Sequence, residues 1–479
     1  MELNTTLVSS SSANSSDNLH QLTGWNPTDK TRGSIEILWS CCITIVLCCW
    51  VSTFPNIPSP NDKWYHGLID KCNLACIGFL GPDYLLAIAL GQLSSAWRSV
   101  KAFQELPRVS QGRKWTLVHG FFADMGGFVL DSPDYPRFPV NAEQLHYLVK
   151  HGYVDFPDIT KADIKDLSKT DSLSKIIVLW QVLWFSASEL ERVRQGLPMT
   201  TFELTALSFA LTMLVTSLCW YAKPTISTSK TLQIKDRKTI AQIRREARES
   251  THPGLPETWY RTPLDFVSPY RRFTLDVHWS YYEQLTYMVH LPLFSRKIES
   301  RPWDRMPSEA YLVIDRVLFL PAMVVAAGFS LSPLAAWNFH FPTEAERLAW
   351  RVCSVYHAVF SILLSMYYGY CVFKLETEAS RIDNTCDVEA GTDAGTVTFC
   401  VRYRYTKQRA AAWLRSWRNI SPDGDPDMAI GLRATFVPLL GTFLYIFCRA
   451  FFYIEDFIAI REQPVGVYTA MNKFIPFME

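Results

Sequence analysis

Residues 34–54, SIEILWSCCITIVLCCWVSTF, carry a single formal charge, Glu36, near one edge and are otherwise almost wholly apolar. A helix rising about 1.5 Å per residue needs about 20 such residues to cover a hydrocarbon core of roughly 30 Å. Only helices or closed barrels satisfy their backbone inside lipid, so this run predicts a transmembrane helix. Apolar stretches recur at residues 72–97, 176–193, 202–221, 311–331, 352–373 and 434–454, which makes seven spans in all. The third and fourth are joined across Gly196-Leu197-Pro198 and must form an antiparallel hairpin. The expected fold class is therefore all-α, a polytopic transmembrane helical bundle of about seven spans.

The bulk numbers add large wet loops to that bundle. Of 479 residues 48% are hydrophobic and 19% charged, and the mean hydropathy is only +0.02. A net charge of +1 excludes the global positive field expected of a nucleic-acid binder. Trp39, Trp50, Trp97, Trp220, Tyr221 and Trp337 fall at segment ends, where two interfacial aromatic belts would place them. The expected order is a disordered tail (1–33), spans one to four (34–221) with a loop at 98–172, a second loop (222–310), and spans five to seven (311–479) with a third loop at 374–432. These loops should be mostly helical. Within them, Thr160 to Lys175 and the basic stretch Thr406 to Trp417 have helical patterning, the latter suited to the anionic inner leaflet. The tail has no basic n-region and no apolar run, so no cleavable signal peptide is expected before the first span.

Orientation follows from the lysine and arginine count. Residues 98–114 hold five, 223–249 hold eight and 402–418 hold six, whereas only Lys63 and Lys71 lie between spans one and two and only Arg347 and Arg351 between five and six. Seven spans with a cytosolic N-terminus put every basic loop inside. The tail carries the sequons Asn4-Thr-Thr and Asn14-Ser-Ser, glycosylation candidates that would require the opposite side and an eighth span. Trp115 to Leu130, WTLVHGFFADMGGFVL, is the stretch available for it, although its apolar spacing of three and four suits an interfacial or re-entrant helix better.

Charges inside apolar segments are the strongest pointers to a site, because burying them in lipid is costly. Asp83 lies mid-segment after Gly81-Pro82, a pair that breaks a helix and frees backbone groups, as transporters do at binding sites. His357 and Arg449 lie deep in spans six and seven. These three are the substrate-binding candidates, and each also has a structural reading as a polar contact between helices. Asp315-Arg316 reads as a span boundary, Glu189 and Arg192 as a pair on one helical face, and Glu203 as a helix-start residue. The acidic pairs Asp155/Asp158 and Asp163/Asp166 are the kind that hold Mg²⁺ against a diphosphate, though such pairs are common in charged loops. His119 and Asp124 are five apart and fall on different helical faces. The twelve cysteines lie mostly in apolar segments, where they act as small hydrophobes, and their spacing matches no metal motif. No nucleotide-binding, hydrolase or metalloprotease motif occurs, so no cofactor is expected and the sequence assigns no catalytic residue.

The stretches TRGSIEILWSCCITIVLCCW, HGFFADMGGF, QGLPMTTFEL and RAFFYIEDFIAIREQPVGVYTAMNKFIPFME together resemble a large family of filamentous-fungal integral membrane proteins, over residues 24 to 479. The resemblance implies a fungal source and a paralogous group with some members near secondary-metabolite genes; it brings no activity and no site residues. Three functions stay open: a carrier of a small, largely apolar solute, a membrane-bound enzyme acting on a lipid or terpenoid, and a signalling or scaffold protein. Each implies a multi-pass protein of the plasma membrane or an endomembrane, with the lipid bilayer as partner and no nucleic acid.

Overall fold

The computed structural model describes residues 21–27, 32–106, 113–168, 172–250, 255–267, 274–288, 290, 294–309, 313–388 and 432–469. Asn4, Asn14 and residues 389–431 of the 374–432 loop, including Thr406 to Trp417, lie outside them. A short strand β1 (Leu22–Thr23) precedes helices α1 (Ser34–Val51), α2 (His66–Leu80) and α3 (Pro82–Gln104). Then come α4 (Leu117–Asp124), strands β2 (Phe128–Asp131) and β3 (Phe138–Val140), and helices α5 (Ala142–Lys150) and α6 (Lys161–Leu167). The hairpin α7 (Ser172–Arg194) and α8 (Thr201–Cys219) leads to β4 (Lys230–Gln233), α9 (Ile240–Ser250) and α10 (Thr274–Met288). Three long helices follow, α11 (Arg316–Ala335), α12 (Glu344–Val388) and α13 (Leu432–Ile458), and the chain closes with β5 (Gln463–Pro464). Five helices are long and apolar enough to cross a membrane: α1, α8, α11, the first part of α12 and most of α13.

The long helices form a bundle with two distinct ends. At one end β1 pairs antiparallel with β5, so the described first and last segments lie together. Arg32 ahead of α1 is ion-paired with Glu203 in the first turn of α8, and Phe202 packs on Phe457 of α13. At the other end Ser52 meets Ser217 at 2.7 Å, and Phe54 meets Trp220 edge-on, so α1 and α8 run parallel. Helices α11, α12 and α13 alternate in direction. Ile314 N–H donates to Tyr368 OH at 2.9 Å at the second end, and Trp350 Nε1 donates to Pro333 O at 3.0 Å at the first.

A lobe sits at the second end, and there the structure departs from the all-α expectation. Its three-stranded sheet has the order β3-β2-β4, with β2 antiparallel to β3 and parallel to β4. The two loops read as separate, 98–172 and 222–310, therefore share one core, in which Phe122, Phe128, Phe138 and Leu145 pack with Ile240 and Ile243. Trp115 to Leu130 is α4 and β2 of this lobe, so the eighth-span reading is corrected: its apolar spacing faces a protein core rather than lipid. The end of α3 runs into the lobe and packs tightly on α4. A Cβ at Gly120 would lie 2.9 Å from the Ala96 backbone, so only glycine fits at that crossing.

The segment read as a second span is two helices meeting at Gly81, the non-helical residue between α2 and α3. An unbroken helix would separate residues 73 and 92 by roughly 28 Å. Instead Gln92 Nε2 donates to Ser308 O at 2.6 Å, while Asp70, Asn73 and Ser308 line one small cavity. Both arms thus start and finish at the lobe end, and the turn at Gly81-Pro82 is driven into the bundle. Composition could not distinguish this hairpin from a kinked crossing helix, since both need the same apolar residues.

Candidate functional site

The hairpin tip brings the three predicted residues together against one face of α13. Pro82 occupies the first position of α3, where its missing N–H is harmless. Asp83 follows in the first turn, where a carboxylate complements the helix N-terminus. Its Oδ1 accepts from Tyr445 OH at 2.9 Å. One and two turns further along α13 are Arg449 and Tyr453. Arg449 donates to Tyr453 OH at 2.7 Å, and Tyr453 OH donates to Phe79 O, in the last turn of α2, at 2.6 Å. The guanidinium lies over the Phe329 ring at 4.7 Å and the Tyr453 ring at 4.9 Å.

His357 closes the far side. Its ring stacks on Tyr445 with centroids 4.8 Å apart and meets Phe452 edge-on. Its Nδ1 lies 3.1 Å from Ser330 O. A carbonyl only accepts, so Nδ1 carries the hydrogen and Nε2 is left as an acceptor. His357 is fully buried, and neither its Nε2 nor the Arg449 Nε–H has a hydrogen-bond partner among the described residues. Asp83 itself is half-buried. The arrangement is therefore an aromatic enclosure of Phe329, Tyr445, Phe452 and Tyr453 that holds one unused acceptor, one unused donor and a carboxylate. A small molecule with an apolar body and one hydrogen-bonding group matches that inventory. Tyr445 and Tyr453 were not singled out from the sequence, although the i, i+4, i+8 spacing of Tyr445, Arg449 and Tyr453 marks one face of α13.

The seam between bundle and lobe holds a second buried polar group. Lys223 Nζ donates to Phe54 O at 2.7 Å, Asn56 Oδ1 at 3.0 Å and Gln92 Oε1 at 2.9 Å. Gln92 also accepts from Trp220 Nε1 at 3.0 Å, and Asn56 Nδ2 donates to Pro307 O. Burial presses Lys223 down to about 7, against the pull of Asp124. Burial likewise lifts Asp124 to about 7, opposed by the Ala142 N–H and Ser95. At the opposite end, Arg32 pairs with Glu189 and Glu203, and Arg192 donates to Val467 O and Pro198 O, tying α1, α7, α8 and the last segment together.

The remaining predicted residues take structural places. Asp315 caps α11 through the Val317 N–H at 3.2 Å, and Glu203 forms a capping box with Thr200. Glu189 and Arg192 face each other at 3.9 Å. Asp155 is bound by Lys235 at 2.5 Å, Asp158 by Arg113 at 3.2 Å, and Asp163 caps α6, so neither acidic pair converges on one point. His119 is held by Thr116 and Ile159 O and burial lowers its pKa, while Asp124 accepts from the first amide of α5. These two residues make no dyad. Among the described residues no group of three or more His, Cys, Asp or Glu could hold a metal ion.

With five helices apolar and long enough to span a bilayer, the fold fits a membrane protein. The chain belongs to a family of unknown function (DUF8562), which matches residues 3–247. Comparison with curated proteins and with solved structures returned no match.

Proposed function

We propose that this is an integral membrane carrier for a small, largely apolar solute, with six crossing helices and one re-entrant hairpin. Helix α7 supplies the sixth crossing. Ile176, Trp180, Leu183, Leu190 and Val193 on its outer face are exposed, while Ser186, Glu189 and Arg192 face inward. Averaged composition hides such a helix because its polar residues look into the bundle. Six crossings return the chain to its starting side, in agreement with the β1–β5 pairing. Residues 195–200 and 336–343 at that end contain no lysine or arginine, whereas the lobe end carries the basic stretches 98–114 and 223–249. The lobe is then cytosolic and both chain ends lie outside. This arrangement accommodates the charge count and the Asn4 and Asn14 sequons without an eighth span. Glycan attached at either sequon supports it; an N-terminal tag protected on the cytosolic side contradicts it.

The observation that carries the carrier reading is the hairpin tip, where a helix break, a carboxylate and unused polar atoms meet inside aromatic walls. Broken helices at membrane depth are the places where transporters bind their cargo. The test is metabolite profiling of cells that lack the protein, complemented with wild type or Asp83→Asn. A carrier leaves the end product made but misplaced, and Asp83→Asn fails to restore it although the protein inserts. Accumulation of a precursor instead would favour a membrane-bound enzyme, and full rescue by Asp83→Asn would remove the tip from the mechanism.

A further inference from the structure

The inward face of α12 carries a row of polar groups of which the tip uses only one. Trp350, Ser354, His357, Ser361 and Tyr368 follow one another at steps of three, four or seven, so they share one face of the helix. Both ends of that face are fastened to α11 and the residues just before it. Trp350 Nε1 donates to Pro333 O at 3.0 Å, and Tyr368 OH accepts from Ile314 N–H at 2.9 Å. Between these two contacts lie Ser354, His357 and Ser361. His357 Nδ1 meets Ser330 O at 3.1 Å, which sets Ser330 of α11 beside the row. All four residues are more than nine-tenths buried. The Oγ atoms of Ser330, Ser354 and Ser361 and the Nε2 of His357 have no hydrogen-bond partner among the described residues.

Several hydroxyls elsewhere in the bundle are satisfied by their own helix. A serine or threonine inside a helix can donate to the carbonyl one turn back. Thr44, Ser94, Thr212 and Thr216 do so, at 2.7 to 3.0 Å. Even Ser332, two residues from Ser330, donates to Phe329 O at 2.8 Å. The three serines of the row leave that option unused. A buried hydroxyl without a partner costs stability, and alanine would fill each position in a helix without that cost. What makes use of such groups is a molecule that brings its own hydrogen-bonding atoms.

We infer that this row is a second wall of the solute site, and that it recognises an elongated, mostly apolar molecule with oxygen functions spaced along one edge. The inference rests on the carrier reading and narrows its cargo. Ser354 and Ser361 stand roughly 10 Å apart along the helix. A hydroxyl both donates and accepts, so it can serve a serine or the bare Nε2, which only accepts. A hydrocarbon satisfies none of these atoms, and a molecule with a single hydroxyl reaches one level of the row. Cargo with two hydroxyls roughly two helical turns apart reaches both ends.

The test uses radiolabelled androstane, androstanol and androstanediol, one rigid skeleton with no hydroxyl, with one, and with two at opposite ends. Retention is measured on the full-length protein in lipid nanodiscs and corrected for empty nanodiscs. Wild type should hold the diol about tenfold more tightly than the mono-alcohol, and the hydrocarbon most weakly. Ser354→Ala combined with Ser361→Ala should erase the advantage of the diol. Because neither hydroxyl is partnered, that double variant should unfold at or above the wild-type midpoint. Equal retention of the three probes by wild type, or retention of none, overturns the inference. A diol preference that survives the double substitution overturns it too, as does a lowered midpoint, which would show the hydroxyls to be partnered within the fold. Binding is read here without transport. An unchanged metabolite distribution in cells lacking the protein would therefore strike the carrier reading alone, and failure of the row leaves the test through Asp83 untouched.

Discussion

The Lys223 junction and the Asp83 tip are both buried, polar and close to α3, yet they use their hydrogen bonds in opposite ways. Lys223 has three N–H donors and three acceptors around them, and Gln92 and Asn56 use both ends of their amides. Nothing is left over for a ligand, and the cluster joins α1, α3, α8 and the 307–308 segment as a fixed seam. At the tip, His357 Nε2 and Arg449 Nε remain without partners inside an aromatic enclosure. A satisfied network rigidifies, whereas an unsatisfied one awaits something to bind. On the proposed carrier reading the seam is architecture and the tip a recognition site, although the sequence marks both with the same signal, charge beside apolar residues.

Substitution should separate the two. The largest effect is expected for Lys223→Met, which removes three buried hydrogen bonds; breaking such a network costs about 3 kcal/mol, read as a lower thermal midpoint or loss of folded protein. Gly120→Val forces a side chain into the α3–α4 crossing and should cost about 2 kcal/mol through overpacking. Asp83→Leu leaves the Tyr445 hydroxyl unpaired and should cost about 1 kcal/mol, whereas Asp83→Asn should unfold at the wild-type midpoint and still lose function. If Asp83→Asn destabilises as much as Lys223→Met, the distinction between seam and tip collapses.

The smallest effect concerns pH. Asp124 is raised from 3.8 to about 7 in the folded protein, so the folded state holds a proton that the unfolded state has lost between those values. Its contribution is present below about 4 and falls away as pH rises toward 7. Stability should therefore slope downward across that window. Asp124→Asn should flatten it, and thermal midpoints measured across that window check the sign.

What was legible in the sequence was what single residues can announce. Asp83, His357 and Arg449 stand out because a charge or imidazole in an apolar run is costly wherever the helix points, and the structure gathers them at one place. Their partners Tyr445, Phe329 and Phe452 look like ordinary membrane aromatics until the helices are docked. The sheet escaped notice because β4 joins β2 across about 100 residues and is four residues long, KTLQ, with three of them exposed. The seven-span reading misjudged residues 72–97 because length and composition say that a segment can enter lipid and are silent on which side it leaves. Gly81-Pro82 was the available clue: it was read as a break in a crossing helix, whereas the chain reverses there.

That reversal is the central claim and has a direct test. In a seven-span protein, residues 55–65 lie on the face opposite the basic loops. In the structure Ser59 bonds Asp304 at 2.6 Å and Asp62 bonds Arg296, which puts this segment at the lobe end. Trp64 there is 88% exposed. Single cysteines would be introduced as Trp64→Cys, Asp158→Cys and Leu22→Cys, with the exposed Cys72 and Cys76 and also Cys386 and Cys400 replaced by alanine. Each variant would be treated with a membrane-impermeant thiol reagent in sealed vesicles of known orientation. The account predicts that positions 64 and 158 label from the same side and position 22 from the other; labelling of 64 from the side opposite 158 would contradict it.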